Sequence, residues 1–362
     1  MSSHRKSRAV RRSEKRRRVA PPLRNGINAA PLRLPEGPWE TLREWFVQRF
    51  GEHGADLFAS GAVLAGHGVP LDGSEPYRPG ERIWVFRPVL DEPSEPIVLP
   101  VVAENERYVI VDKPHGMASV PKGSHVAQSA LVTARRQFHN DLLVAAHRLD
   151  LETAGLLLLI KEPRWRGDYQ LLFERRKIRK KYHAVAPIID VAQAEGAAYS
   201  CGAVPPIASW HSVLTLYKTE GNLQVQVLAS ELPQAAPHVV SDEAYCSERH
   251  VPGEYYGERR TPLRRTQSCA VTDIELVRDL GNGLGRYDLY PHTGFTHQLR
   301  VAMSALGAPI CGDPIYPQLL SRTESAARPF PLQLLAAELE FIDPVTQEQV
   351  HVVSARRLAL EH

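Results

Sequence analysis

No stretch of the chain approaches the roughly 18–20 consecutive apolar residues that a membrane-spanning helix needs. The charged N-terminus is followed by no apolar region of the kind a secretory signal carries. No membrane partner is expected, and the cytoplasm is the expected location. Cysteine is scarce and scattered. Cys201, Cys246, Cys269 and Cys311 form no Cys-x-x-Cys pair, which argues against a zinc site or a disulfide framework and for reduced thiols. A convincing nucleotide-binding glycine motif is missing as well: GNGLG at 281–285 lies between two alternating segments and reads as a hairpin turn around Asn282-Gly283.

Acidic residues are short mainly at one end. Residues 1–24 hold ten Lys/Arg against the single acid Glu14, a charge of +9 in a chain that totals +3, so the other 338 residues carry −6. A basic arm on a mildly acidic body points to an anionic polymer as partner, because Lys and Arg release counterions when they meet phosphates. The competing reading is a solvated arm with no specific partner.

A length of 362 residues suggests two domains. Residues 1–30 lack hydrophobic periodicity and read as a disordered tail. Residues 31–90 read as a small module: a helix in TLREWFVQRF (Thr41–Phe50), a second helix with a glycine break, and a strand within Tyr77–Pro88. Residues 91–100, with their acids and prolines, read as a linker. Residues 101–362 form the main domain, interrupted by an irregular polar insertion at about 230–268. Strands dominate it, including Ser209–Lys218, Asn222–Ala229, LLAAELEFI and QVHVV. Helices are read at Ala127–Phe138, Trp165–Arg176 and His297–Gly307. The fold class is therefore α+β on a mixed, largely antiparallel sheet with flanking helices.

The chain turns on AHRLDLETAGLLLLIK (Ala146–Lys161), a polar turn between two apolar runs that read as buried strands. His147, Arg148 and Asp150 crowd ionisable side chains into four positions that Gly, Asn or Ser could have filled. Taken alone, an Asp here is as readily an Asx-turn residue as a reactive carboxylate. Further on, six of the seven residues 175–181 are basic, a run that a solvated face would also explain.

HRLDLETAG resembles the signature of the RluA-type RNA pseudouridine synthases. The resemblance continues in order through YVIVDKPHGM (Tyr108–Met117), RKKYHAV (Arg179–Val185), HTGFTHQLRVAMSALGAPICGDPIYP (His292–Pro317) and LQLLAAELEFIDP (Leu332–Pro344). It implies isomerisation of a specific uridine in structured ribosomal or transfer RNA, with base flipping and with neither metal nor organic cofactor. It implies Asp150 as the catalytic carboxylate, Arg300 as its basic partner, and Tyr182 as the aromatic group that stacks on the target base. Arg148 would fill the space the base vacates, and His147 and His297 would lie at the RNA interface. The run Arg175, Arg176, Lys177, Arg179, Lys180 and Lys181 would track phosphates. The 31–90 module is similar to the small RNA-binding module that precedes some of these synthases. No obligate protein partner is implied.

Four positions depart from the pattern: Phe295 stands where the family usually has Arg, Ala154 for Ser, Leu335 for His and Pro317 for Gly. None is assigned to the chemistry. Two other classes fit the residues less well. A catalytically silent RNA-binding protein would have no use for Asp150, Tyr182 and Arg300 together. A nucleosidase-like hydrolase would release free uracil, and Glu152 lacks the placement of a second carboxylate.

Overall fold

The computed structural model describes residues 21–86, 97–122, 125–189, 208–218, 222–231 and 266–361. Most of the basic tail, of the linker and of the 230–268 insertion lies outside the described residues. The chain divides into two compact units, Met1–Val98 with Val120–Asp141, and Leu99–Ser119 with Leu142–His362.

The first unit is built on helices Leu42–Phe50 and His53–Ala59 and a three-stranded antiparallel sheet. That sheet has the order β1 (Ala30–Arg33), β3 (Arg82–Val85), β2 (Val63–Leu64). Thr41 caps the first helix by accepting from the Glu44 N–H. The helix buries Leu42, Trp45 and Phe46, the helical spacing that the sequence displays, against Phe58, Val63 and Ile83. The helix Ala130–Gln137 also belongs to this unit. Arg135 and Arg136 lie in its last turn, where the helix dipole favours them, and also tie the helix to residues 25–28. Buried Arg135 donates to Gly26 O at 2.8 Å and Asn28 Oδ1 at 2.6 Å, and Arg136 donates to Asn25 O at 3.0 Å.

The second unit is one large sheet, with further strands β4 (Val101–Glu104), β5 (Tyr108–Lys113), β6 (Val144–Ala145), β7 (Ala154–Ile160), β8 (Arg179–Pro187) and β9 (Ser209–Lys218). It continues with β10 (Gln226–Glu231), β11 (Thr266–Gly281), β12 (Leu284–Pro291), β13 (Leu334–Ile342) and β14 (Gln349–Val353). Among the described residues the order is β10-β9-β11-β12-β8-β13-β7-β5-β4, with β14 on β13 and β6 on β7. The β7–β13 pair is parallel and the other pairings are antiparallel, giving the mixed, largely antiparallel α+β class. Asn282 and Gly283 both have positive φ, 52° and 73°, which a two-residue hairpin requires.

Seven consecutive buried residues of β7 mark it as covered on both faces. Its glycine is fixed by close approach: Gly155 has φ +110°, and a Cβ there would run into Ala336 O on β13. Gly155→Ala should therefore destabilise the protein by about 3 kcal/mol or more, since backbone must move to admit one methyl. Urea denaturation measures this, and a loss under 1 kcal/mol would show that the two strands separate easily.

Strand alternation gives the sheet two distinct faces around β8 and β12. Ala184, Ala186, Tyr287 and Leu289 form one core with Trp210, Leu214 and the helix Gln298–Ala305, and Tyr182 packs against it. Val185, Leu335, Ala337 and Leu358 form another on the opposite face.

Candidate active site

The HRLD turn is held from behind by the loop that follows β5. Lys113, fully buried, donates its ammonium hydrogens to Pro114 O at 2.9 Å, Met117 O at 2.7 Å and Leu151 O at 3.3 Å. Burial pulls that ammonium down to about 7, with Asp150 and Glu152 acting in the other direction. Ser119 both accepts from Leu149 N–H at 2.9 Å and donates to Leu149 O at 2.8 Å. His115 Nδ1 meets Glu152 O at 2.7 Å, and the Glu152 carboxylate meets Arg328 at 3.2 Å. Leu149, Leu151 and Glu152 are thus each pinned through main-chain atoms. Asp150, between them, keeps a side chain that is 30 % exposed.

Arg300 faces it from the helix Gln298–Ala305. The guanidinium is almost wholly buried, and its Nη1 lies 3.6 Å from Asp150 Oδ2. Its firm partner is a different carboxylate: Asp313 accepts from Arg300 Nε at 2.7 Å and Nη2 at 2.5 Å, a bidentate pair. Asp313 is itself fixed by the N–H groups of Ile315 at 2.8 Å and Tyr316 at 3.1 Å. Asp313 therefore neutralises and aims the arginine, which leaves one edge of the fork for Asp150.

The loop leading into this helix is equally constrained. The Thr293 hydroxyl and the Phe295 N–H both donate to Gln298 Oε1, at 2.8 and 3.1 Å, while Gln298 Nε2 donates to Val271 O and Thr272 Oγ1. His292 and His211 share the Asp273 carboxylate at 2.6 Å each, and the two imidazoles pull its pKa far down against the opposing effect of burial. His297 caps the helix with a left-handed φ of 58° and places Nδ1 3.1 Å from Tyr316 Oη. Burial chiefly lowers its imidazole to about 4. Tyr182, partly buried on β8, lies within electrostatic reach of Asp150. Burial first, then that carboxylate, pushes its phenol far up, so Tyr182 stays protonated at neutral pH.

The remaining sequence-selected residues divide. Arg148 is exposed and makes no ion pair among the described residues. His147 turns inward: Nε2 accepts from Leu158 N–H at 3.1 Å, the ring stacks on Phe173 at 4.5 Å, and burial holds it at about 3. That geometry suits orienting the turn. Arg175, Arg176 and Lys177 are exposed, whereas Arg179 pairs with Glu340 at 3.0 Å. Lys180, lowered to about 8 by burial and Arg176, donates to Thr293 O at 3.1 Å on the Tyr182 face. Lys181 projects from the other face onto Asp288 at 2.7 Å and Glu338 at 3.2 Å. The run is continuous in sequence but alternates across the sheet from Arg179 onward. Asp313, Lys113 and Ser119 were not singled out from sequence as site residues, although the first two stand in the GDPIYP and YVIVDKPHGM blocks.

The candidate site thus sets a half-open carboxylate beside a buried arginine held by a second carboxylate, with a protonated tyrosine nearby. The model of the family described as RNA pseudouridylate synthase matches residues 107–305, and the chain belongs to that family. Its activity is isomerisation of uridine to pseudouridine in RNA. Similar proteins include an uncharacterised RNA pseudouridine synthase of Synechocystis, 24 % identical over 69 % of this chain and 69 % of its own length. The dual-specificity RNA pseudouridine synthase RluA of Pasteurella multocida is 26 % identical over 71 % of this chain and 92 % of its own. Ribosomal large subunit pseudouridine synthase D of Zymomonas mobilis is 25 % identical over 73 % and 71 %. Among solved structures, human RNA pseudouridylate synthase domain containing 1 gives a TM-score of 0.47 at 19 % identity, covering 73 % of this chain and 86 % of that one.

Proposed function

We propose that Asp150 is the catalytic carboxylate of this isomerase and that its substrate is a uridine flipped out of structured ribosomal or transfer RNA in the cytoplasm. The observation that carries this reading is the placement of Asp150 within 3.6 Å of a buried arginine whose other edge is occupied by Asp313. In the reaction the bond from the ribose anomeric carbon to ring nitrogen 1 breaks, the uracil turns, and that carbon bonds to ring carbon 5. The proton on carbon 5 then leaves and nitrogen 1 regains a hydrogen, so no redox partner or group donor enters. Asp150, facing Arg300, acts on the sugar or the base, and Tyr182 stacks against the uracil as a protonated phenol. Extruding the base costs a few kcal/mol, and Arg148, exposed and without an ion pair among the described residues, has the reach to fill the gap. Arg175, Arg176 and Lys177 offer the free charges of a phosphate track, while Lys180 braces the Thr293 loop.

Phe295, 39 % exposed, replaces the family's arginine contact by a stacking surface. Phe295→Ala should weaken RNA binding by about 1–3 kcal/mol and leave the salt dependence of binding unchanged. Fluorescence anisotropy across a salt series reads both quantities, and an unaltered affinity would remove Phe295 from the interface. The proposed substrate is tested by carbodiimide mapping of pseudouridine in total RNA from cells lacking this enzyme. A new stop in ribosomal or transfer RNA, seen with wild type and absent with Asp150→Asn, names the nucleotide; modification confined to other RNA contradicts the substrate reading.

A further inference from the structure

Behind the sheet lies a second concentration of positive charge. His183 follows Tyr182 on β8 and so projects to the opposite face; Asp288 on β12 is its cross-strand partner, with Arg286 two residues away on the same face. His183 and Arg286, together with Arg278, Arg356, Arg357 and Glu361, border a half-open cleft of about 230 Å³. Four guanidinium groups and an imidazole therefore line it against one carboxylate.

Two of these cations are matched. Arg286 donates to Asp288 Oδ1 at 2.8 Å, and Arg356 meets Asp112 Oδ1 at 3.1 Å. Arg278 reaches only a carbonyl, Glu361 O at 2.8 Å, and exposed Arg357 has no ion pair among the described residues. Three buried polar atoms around the cleft, His183 Nε2, Arg286 Nε and Glu361 Oε1, make no hydrogen bond, although the last two approach to 3.2 Å. Two guanidinium charges without a carboxylate, beside buried polar atoms that make no hydrogen bond, fit an oxyanion. The Glu361 carboxylate lines the cleft 3.2 Å from Arg286 and competes there for the guanidinium. The cleft is smaller than the roughly 300–1,000 Å³ that encloses a drug-sized molecule, so a single phosphate group suits it better than a whole nucleotide. Arginine forks match phosphate oxygens in pairs.

We propose that this cleft, on the sheet face opposite Tyr182, is a phosphate-binding site formed by Arg278, Arg286, Arg356, Arg357 and His183. The phosphate comes either from the backbone of an RNA that wraps beyond the active site, which rests on the function proposed above, or from a small phosphorylated molecule. Inorganic phosphate is the probe, compared with chloride at equal ionic strength. It should raise the Tm of the full chain. The gain should vanish in the double variant Arg278→Gln/Arg357→Gln, whose side chains make no ion pair among the described residues, and should increase in Glu361→Gln.

The second arm is RNA binding over a salt series. A slope reduced by about one to two in the double variant supports the site and makes RNA backbone the source. An unchanged slope with the phosphate effect lost supports the site and makes a small phosphorylated molecule the source. Phosphate stabilisation equal in wild type and double variant, or absent from both, overturns the proposal. The phosphate arm requires no turnover, so its failure is separable from failure of the active-site reading.

Discussion

Replacing Asp150 by Asn is expected to abolish uridine isomerisation, lowering single-turnover rates by about 10³-fold or more, while RNA affinity stays within a few-fold. The size follows from asking one carboxylate to supply the chemistry at the anomeric carbon or on the base. The specificity of the loss follows from the geometry around Arg300. Its bidentate partner is Asp313, so neutralising Asp150 strands no buried cation, and the 3.6 Å contact that is lost belongs to a side chain 30 % exposed. Stability should change by less than about 1 kcal/mol. A comparable fall in RNA affinity or in the urea midpoint would make Asp150 a structural residue.

Asp313→Ala should behave in the opposite way. Arg300 is 2 % exposed, and without Asp313 the one carboxylate left near it among the described residues is Asp150, too distant for a hydrogen bond. Leaving a buried guanidinium unpaired costs about 3–5 kcal/mol. The N–H groups of Ile315 and Tyr316 lose their acceptor at the same time. Urea denaturation of the full chain should show that loss. Turnover should fall at least about tenfold at temperatures where the variant remains folded, because the arginine is no longer aimed. Asp313→Asn, which keeps the turn's acceptor oxygen but not the charge, should lie between wild type and Ala in both measurements. A fully stable Asp313→Ala would mean that water or Asp150 satisfies Arg300, and the two-carboxylate account of the arginine would fail.

The pairing of these variants also explains what sequence could reveal of the site. LLAAELEFI and QVHVV are strands over those very residues, and the helix expected to end at Gly307 runs from Gln298 to Ala305. Apolar alternation and a glycine with φ +76° are local signals, readable one segment at a time. Asp150 and Arg300 stand in separate blocks 150 positions apart, and the resemblance linked them before the structure put them at 3.6 Å. Asp313 gave no such signal: a Gly-Asp-Pro triplet reads as a turn, and only the fold reveals that its carboxylate grips a buried arginine. Lys113 likewise reads as the polar end of a strand until its ammonium is found among three carbonyls.

Charge runs were the least legible feature. Arg175–Lys181 looks like one basic patch, yet strand pleating sends Lys180 and Lys181 to opposite faces, where Thr293 O and Asp288 receive them. The β11–β12 hairpin pairs Arg278 with Arg286, and Arg356, from the segment after β14, joins them around one cleft. Non-local packing also joins the helix Ala130–Gln137 to residues 25–28, through arginine contacts that no periodicity encodes.

The central claim, uridine isomerisation at Asp150, is tested most directly by tritium release from RNA labelled at carbon 5 of uridine, with free uracil assayed in the same reaction. The account predicts tritium released to water by wild type, none by Asp150→Asn at equal RNA occupancy, and no free uracil from either. Tritium release by Asp150→Asn at the wild-type rate would contradict it, as would free uracil accumulating in step with turnover.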